Sequence, residues 1–333
     1  STVFDISYYK VFKKYLLFLG QFPNQSRWSK KLNLTVMIGS LLTLHYPGFE
    51  KMFHIIKKDW ELLNDKSEAH ILKEITKEGK KLGEIYRSNC SFMLSCMSGF
   101  IIIPLCPVIL DIISPLNETR HREQMFRVTY LLDEDQYFYP IYFHSLWCAF
   151  IITMIAVTID SLYIQIVHHD SALFAICGQT LITVRKSTDV DTNETYTEWL
   201  RQCLTMHNDA LQLFEMLDDS SRRSYFFQIL LTMIGMTVTA VQTVMNLHQP
   251  EEALRIGLFL VAQQFHLLII TLPGQVITDH SFEYRSTWYD MPINVQRILH
   301  MMQMRSSKPC KLTAGGIYEM NIENFGTVRT LQC

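Results

Sequence analysis

Residues 224–250 read SYFFQILLTMIGMTVTAVQTVMNLHQP and contain no Asp, Glu, Lys or Arg. A helix needs about 20 mostly apolar residues to cross the hydrocarbon core of a bilayer, which is roughly 30 Å thick. Three further stretches are equally free of formal charge and long enough to cross, namely residues 88–110, 136–159 and 256–278. Four such runs do not fit inside a globular core. The sequence therefore predicts an all-α polytopic membrane protein.

The composition of the 333 residues agrees with this prediction. Charged residues make up 19% of the chain, below the roughly 25% found in soluble domains. The net charge of −2 gives no electrostatic reason to expect nucleic acid as a partner. The sequence contains no Gly-rich phosphate loop, no G-x-S-x-G and no H-E-x-x-H motif, and its eight cysteines form no C-x-x-C pair. We therefore predict a protein that is not an enzyme and that has neither a cofactor nor a metal site.

Two charged segments continue directly into the apolar runs. Residues 66–87 and 198–223 carry apolar side chains on a helical period with charges between them. Each segment is predicted to extend a membrane helix into the cytosol.

The distribution of Lys and Arg predicts the orientation, because cytosolic loops of membrane proteins carry an excess of both. With the N-terminus in the cytosol, 24 basic residues fall inside, in segments 1–33, 57–87, 185–223 and 280–311. Only four fall outside, in segments 114–139 and 247–255. This orientation leaves Asn117 as the one N-x-S/T acceptor exposed to glycosylation.

The C-terminal part has a different pattern. Residues 293–304 read as an amphipathic helix, and Pro309 and Gly315 then break the chain so that it can reverse. From residue 317 onward polar and apolar side chains alternate irregularly. A helix with a polar face at membrane depth should line water or protein, so the segment is either a pore wall or an ordinary cytosolic helix end. Its candidate pore residues are Asn321, Glu323, Phe325, Val328 and Arg329.

The motifs of this region resemble the C-terminal signature of insect odorant receptors. The matching residues are Trp288-Tyr289, then Met304-Arg305-Ser306 with Pro309, then Thr313-Ala314-Gly315, then Ile322-Glu323 and Phe325. The opening stretch 8–23, YYKVFKKYLLFLGQFP, also resembles the cytosolic start of that family. The resemblance implies a seven-transmembrane-helix fold with a cytosolic N-terminus, an outward C-terminus and a pore-lining last helix, with Trp288 and Arg305 in the cytosolic anchor.

The same resemblance implies the organisation and the partners of the chain. It divides the chain into a cytosolic segment 1–33, a helical bundle 34–281, an anchor helix and turn 282–314, and the start of the last helix at 315–333. It implies a cation channel in the dendrites of olfactory neurons, assembled as a heterotetramer with a shared odorant co-receptor and gated by a volatile ligand. The short segment 185–197 favours the odour-specific subunit, because the co-receptor carries a long insertion there.

Two features depart from the family pattern. The chain passes from residues 46–48 straight into FEKMFHIIKKDW, so we predict that the second span is largely missing near Pro47–Phe49. The apolar stretch that forms the outer gate in the family would lie beyond Cys333, and no gate residue is assigned.

The resemblance places the odorant pocket in the outer half of the bundle. Affinity for an uncharged volatile must come from apolar burial, with aromatic edges and a few hydrogen-bonding groups for orientation. The candidate ligand residues are Met97, Phe100, Ile101, Tyr142, Phe143, Leu146, Trp147, Phe150, Phe259 and Gln263. Taken singly, each of them is read more readily as bundle packing or as part of an interfacial belt. Asp160 is expected to reach the wet cytosolic layer and to have a structural role, and His168-His169-Asp170 is not expected to bind metal.

Two alternative functions remain open. A gustatory receptor would be a channel of similar architecture, although its usual T-Y-x₅-Q-F pattern is not visible in this sequence. A seven-helix G-protein-coupled receptor belongs to a different class and would place the N-terminus outside the cell.

Overall fold

The structure, a computed structural model, describes residues 47–63, 69–96, 105–114, 137–186, 193–248, 250–282 and 293–332. Within these residues the chain forms eight helices and one two-stranded hairpin. The helices are α1 (Pro47–Leu63), α2 (Ala69–Cys96), α3 (Cys106–Ile113), α4 (Phe138–Lys186), α5 (Asn193–Met245), α6 (Pro250–Phe282), α7 (Ile293–Ser306) and α8 (Ile322–Gln332). The strands are β1 (Thr313–Ala314) and β2 (Tyr318–Glu319).

Three helices in the described part are long and apolar enough to cross a membrane. Their candidate spans are Phe138–Thr180 in α4, Leu200–Met245 in α5 and Ile256–Ser281 in α6. They contain most of the predicted runs 136–159, 224–250 and 256–278. The run 88–110 is divided between the end of α2 and α3, and residues 97–104 lie outside the described residues.

The predicted cytosolic extensions are confirmed as helix. α2 runs from Ala69 to Cys96, and α5 runs from Asn193 to Met245, each without interruption. At 1.5 Å per residue, the 53 residues of α5 extend over about 80 Å, more than twice the thickness of the hydrocarbon core. Each helix is uninterrupted because no glycine-proline break separates its charged segment from its apolar segment.

α4 is the central helix of the described bundle. Its side chains between Leu162 and Cys177 are almost all buried. α2 approaches it closely at Gly79, where an added Cβ would come within 2.7 Å of His168. α1 covers another side, where Asp59 accepts a hydrogen bond from His169 over 3.2 Å. Because the two adjacent histidines point to different helices, they form separate contacts and not one cluster.

α5 closes the core on one side and leaves an apolar surface on the other. Its thiol Cys203 packs against Cys177 of α4 with the two sulfurs 3.7 Å apart. Its opposite face carries large exposed apolar side chains, including Phe227, Leu231, Ile234, Val238, Val241 and Met245. An apolar face of this length suits contact with lipid.

The C-terminal region forms a hairpin before the last helix. β1 and β2 pair antiparallel with Thr313 opposite Glu319 and Ala314 opposite Tyr318. The reversal predicted at Gly315 is therefore confirmed, because both Gly315 and Gly316 have positive φ. The last helix starts at Ile322, seven residues later than the start at 315 expected from the sequence, because the hairpin occupies the intervening chain.

Candidate functional site

The predicted ligand residues of α4 separate into a buried one and an exposed stripe. Tyr142 is only 4% exposed and its ring stacks on Phe138 at 6.2 Å. Phe143, Trp147 and Phe150 are exposed and lie at helical spacing on one face of α4. The ring of Phe143 meets the ring of Tyr142 edge to face at 5.6 Å, and the rings of Trp147 and Phe150 lie 6.1 Å apart. The place of these rings in a ligand pocket stays a prediction.

The other predicted ligand residues lie on α4, on α6 or outside the described residues. Leu146, Phe259 and Gln263 are half-buried. Met97, Phe100 and Ile101 lie outside the described residues, and their place in a ligand pocket stays a prediction.

Gln263 is the most informative of the predicted ligand residues. Its Nε2 would lie 3.5 Å from a Cβ added to Gly235, so the amide reaches across to α5 where a glycine leaves room. Its Oε1 is buried and accepts no hydrogen bond from the described residues. Since a buried carbonyl without a donor is unfavourable, a hydroxyl or water brought to this oxygen would stabilise it.

A buried polar junction around Asp160 joins four helices. Its carboxylate accepts hydrogen bonds from Tyr86 of α2 (2.5 Å), and from Tyr225 and Gln228 of α5 (both 3.1 Å). His266 of α6 lies 3.7 Å from the same carboxylate. Tyr86 and Gln228 donate to one carboxylate oxygen and Tyr225 donates to the other. Removing Tyr225 would therefore leave a buried oxygen without its donor.

The position of Asp160 differs from the sequence-based expectation of a wet cytosolic site. The residue is 1% exposed, because α2, α5 and α6 all cover this part of α4. Its structural role in the bundle agrees with the expectation. Acids within membrane helices pair with other polar groups inside a bundle. An acid at the end of an apolar run was therefore the feature of the sequence that could have indicated this buried, paired carboxylate.

The hairpin is fixed to the middle of α5 by polar contacts. Asp218 accepts hydrogen bonds from the backbone N–H of Thr313 (3.0 Å) and from its hydroxyl (3.3 Å). Asp218 also pairs with Arg222, whose carbonyl accepts from the N–H of Gly315 over 2.9 Å. An added Cβ on Gly315 would lie 2.6 Å from Phe226. These contacts hold the turn firmly against one helix.

The chain before the hairpin is fixed to α6. The N–H of Cys310 donates to the hydroxyl of Ser281 (2.8 Å), and its carbonyl accepts from the hydroxyl of Thr278 (3.1 Å). Burial raises the pKa of the Cys310 thiol to about 11, so the thiol is protonated at neutral pH and unreactive. Burial also raises the pKa of Tyr318 in β2 to about 12.

The predicted pore and anchor residues occupy the ends of the last two helices. Asn321 caps α8, because its side-chain oxygen accepts from the N–H of Asn324 over 2.8 Å. Arg305 closes the turn after α7 by donating to the carbonyl of Lys308. Phe325 packs against the core, and Glu323 is exposed.

Four other predicted residues are less fully described. Val328 and Arg329 lie on α8. Trp288 and the sequon Asn117 lie outside the described residues. Their predicted roles remain untested.

Comparison with known proteins shows the family to which the chain belongs. Residues 40–331 match the family described as 7tm odorant receptors. Odorant receptor 9a of Drosophila melanogaster is 24% identical over 204 residues, which is 60% of this chain and 50% of that protein. The chain thus spans about half the length of this curated relative.

Two solved structures share the fold. The insect olfactory receptor OR5 from Machilis hrabei superposes with a TM-score of 0.64, at 13% identity, over 98% of this chain and 84% of that chain. Its complex with eugenol covers the same shares at a TM-score of 0.58 and the same 13% identity. At this identity the likeness concerns the arrangement of helices alone.

Proposed function

Because the chain belongs to the 7tm odorant receptor family, we propose that it is the odorant-binding subunit of a heteromeric, odorant-gated cation channel. A member of this family is a receptor and not an enzyme, as the sequence predicts. The observation that carries the proposal is the family match across residues 40–331, which includes the junction, the hairpin and all but the final residue of the last helix. The channel would sit in the dendritic membrane of olfactory neurons beside a shared co-receptor.

The ligand would be a small, mainly apolar volatile with one hydrogen-bonding group. Eugenol, the ligand in one of the similar structures, is a phenol with such a hydroxyl. In this chain the free Oε1 of Gln263 supplies an acceptor between α5 and α6. The buried ring of Tyr142 supplies apolar area near the start of α4. Binding here would favour an open arrangement of the last helices by a shift of population.

The direct test is electrical. Full-length receptor expressed in oocytes together with the co-receptor is expected to give inward cation currents in response to at least one volatile in a broad panel. Neither subunit alone should respond to that volatile. An equal response from this chain alone would contradict the heteromeric proposal, and responses confined to non-volatile tastants would favour a gustatory channel.

The orientation separates the channel from a G-protein-coupled receptor. An epitope at the N-terminus should be labelled only after cells are permeabilised, because the distribution of Lys and Arg predicts a cytosolic N-terminus. Labelling of intact cells would contradict the channel proposal. A current that disappears when G-protein signalling is blocked would contradict it as well.

Replacing Gln263 with leucine tests the proposed acceptor. The EC50 for hydroxyl-bearing odorants is expected to rise about tenfold, the loss of roughly one hydrogen bond. Odorants without a donor should be affected little. Gln242→Leu is the matched control, because Gln242 is an exposed glutamine on α5. Equal shifts for both odorant classes would show that Gln263 acts through packing and not as an acceptor.

A further inference from the structure

A continuous set of contacts leads from the Asp160 junction to the start of the last helix. Tyr163 follows Asp160 by three residues on α4, and its ring lies 4.5 Å from the ring of Tyr225, which itself donates to Asp160. The hydroxyl of Tyr163 donates to the sulfur of Met320 over 3.6 Å. All four side chains are buried.

Met320 occupies the point at which the hairpin, the bundle and α8 meet. Its N–H donates to the carbonyl of Leu312 over 2.9 Å, which extends the hairpin by one bond. Its own carbonyl lies against Gly274 of α6, where an added Cβ would be only 1.9 Å away. The next residue, Asn321, caps α8. A displacement of Met320 therefore has to displace the first turn of α8.

The junction also adjoins the proposed ligand acceptor. Gln263 and His266 are three residues apart on α6, so they lie on neighbouring positions of one helix face about 4.5 Å apart along the axis. His266 contacts Asp160 and also lies 3.3 Å from the amide of Gln228. A ligand that moves α6 relative to α4 at Gln263 would thus alter the distances inside the junction.

The hydrogen bonds of the junction favour a small number of discrete positions of the helices relative to one another. A buried carboxylate with three hydrogen-bond donors is favourable only while those donors stay in place, because each lost partner leaves a desolvated group. Donors on α2 and α5 meet this carboxylate on α4. Helix movements are therefore expected to be correlated, with partners exchanged together and not one at a time.

We propose that Asp160, Tyr225, Tyr163 and Met320 form a gating linkage, which carries movement of the bundle at the ligand site to the N-terminal end of α8. In this role Asp160 and Tyr163 are positioning residues that touch neither ligand nor ions. The inference rests on the proposed function, since it names the coupling between the ligand site and the pore helix of that channel. Movement alone is transmitted, and no covalent step is involved.

A double-mutant cycle on Tyr163 and Met320 tests the linkage. Tyr163→Phe keeps the ring against Tyr225 and removes only the hydroxyl donor, and Met320→Leu keeps the volume and removes only the sulfur acceptor. Each single change, in full-length receptor expressed with the co-receptor, is expected to shift the odorant EC50 about fivefold. The double variant should shift it no further than the larger single change, because both remove one interaction.

The readouts separate coupling from ligand contact and from folding. The order of potency within an odorant panel should not change, and surface labelling should equal that of the wild type. Tyr137→Phe is the matched control, because Tyr137 is exposed at the start of α4 and outside the linkage. Asp160→Asn, which keeps the shape of the side chain but loses acceptor capacity, should give the larger shift if its surface level is preserved.

Three outcomes would overturn the linkage. They are unchanged EC50 values in both single variants, additive shifts in the double variant, and a changed order of odorant potency. A failure of the proposed function would look different, because wild-type receptor with co-receptor would then give no odorant current at all. The two proposals can therefore fail separately.

Discussion

Replacing Gly274 with alanine is expected to abolish odorant-evoked current and to reduce strongly the amount of folded receptor. The added Cβ would lie 1.9 Å from the carbonyl oxygen of Met320 and 2.9 Å from its carbonyl carbon. Both are backbone atoms of the segment that leads into α8, so no side-chain rotation can relieve the overlap. Met320 would have to move by about 1 Å or more in a closely packed interior.

Gly257→Ala is the matched control for this prediction. Gly257 lies in the same helix, α6, and its added Cβ would meet Thr243 at 3.7 Å, an ordinary van der Waals distance. Alanine favours helix over glycine by about 1 kcal/mol, so this variant should retain current and lose no stability. The measurements are current amplitude and the monodisperse fraction of a fluorescent fusion in detergent. Wild-type behaviour of Gly274→Ala would mean that the contact with Met320 is looser than the structure shows.

Gly315→Ala is expected to detach the hairpin from α5 and to reduce current severely. Two effects act together at this residue. Its φ of 67° is unfavourable for any residue with a Cβ, by about 1–2 kcal/mol. The Cβ would also lie 2.6 Å from the ring of Phe226, which packs against the core. The hydrogen bond from Gly315 to the carbonyl of Arg222 would be lost with this displacement.

The neighbouring glycine separates those two effects. Gly316 has a similar φ of 72°, but an added Cβ there would meet nothing within 4 Å. Gly316→Ala should therefore show only the conformational strain, as a small loss of thermal stability with current retained. Combining Gly315→Ala with Phe226→Leu should recover part of the current, because the smaller side chain gives room. If both glycine variants lose current equally, the contact with Phe226 is not the cause.

The helices were predictable because their signal is long and periodic. Runs of more than 20 residues without formal charge identify α4, α5 and α6 from the sequence alone. The hairpin was harder to predict, because strands of two residues are too short to show an alternating pattern. Only Pro309 and Gly315 indicated that the chain reverses in this region.

The polar junction could be predicted only in part. Asp160 stands out as an acid next to an apolar run, which indicates a partner inside the bundle. The identity of that partner is a matter of tertiary packing, since Tyr86 and Tyr225 are 74 and 65 residues away along the chain. Gln263 was predicted from the family resemblance, but the room for its amide nitrogen depends on Gly235 of another helix, which the sequence does not bring to it.

The length of α4 gives the Asp160 junction a mechanical meaning. The helix has 49 residues and is therefore about 74 Å long. Asp160 lies near its midpoint, about 33 Å from one end and about 39 Å from the other. A rod held near its middle behaves as a balanced lever. A tilt of about 3° would leave the fulcrum at Asp160 in place and carry the two ends about 2 Å in opposite directions.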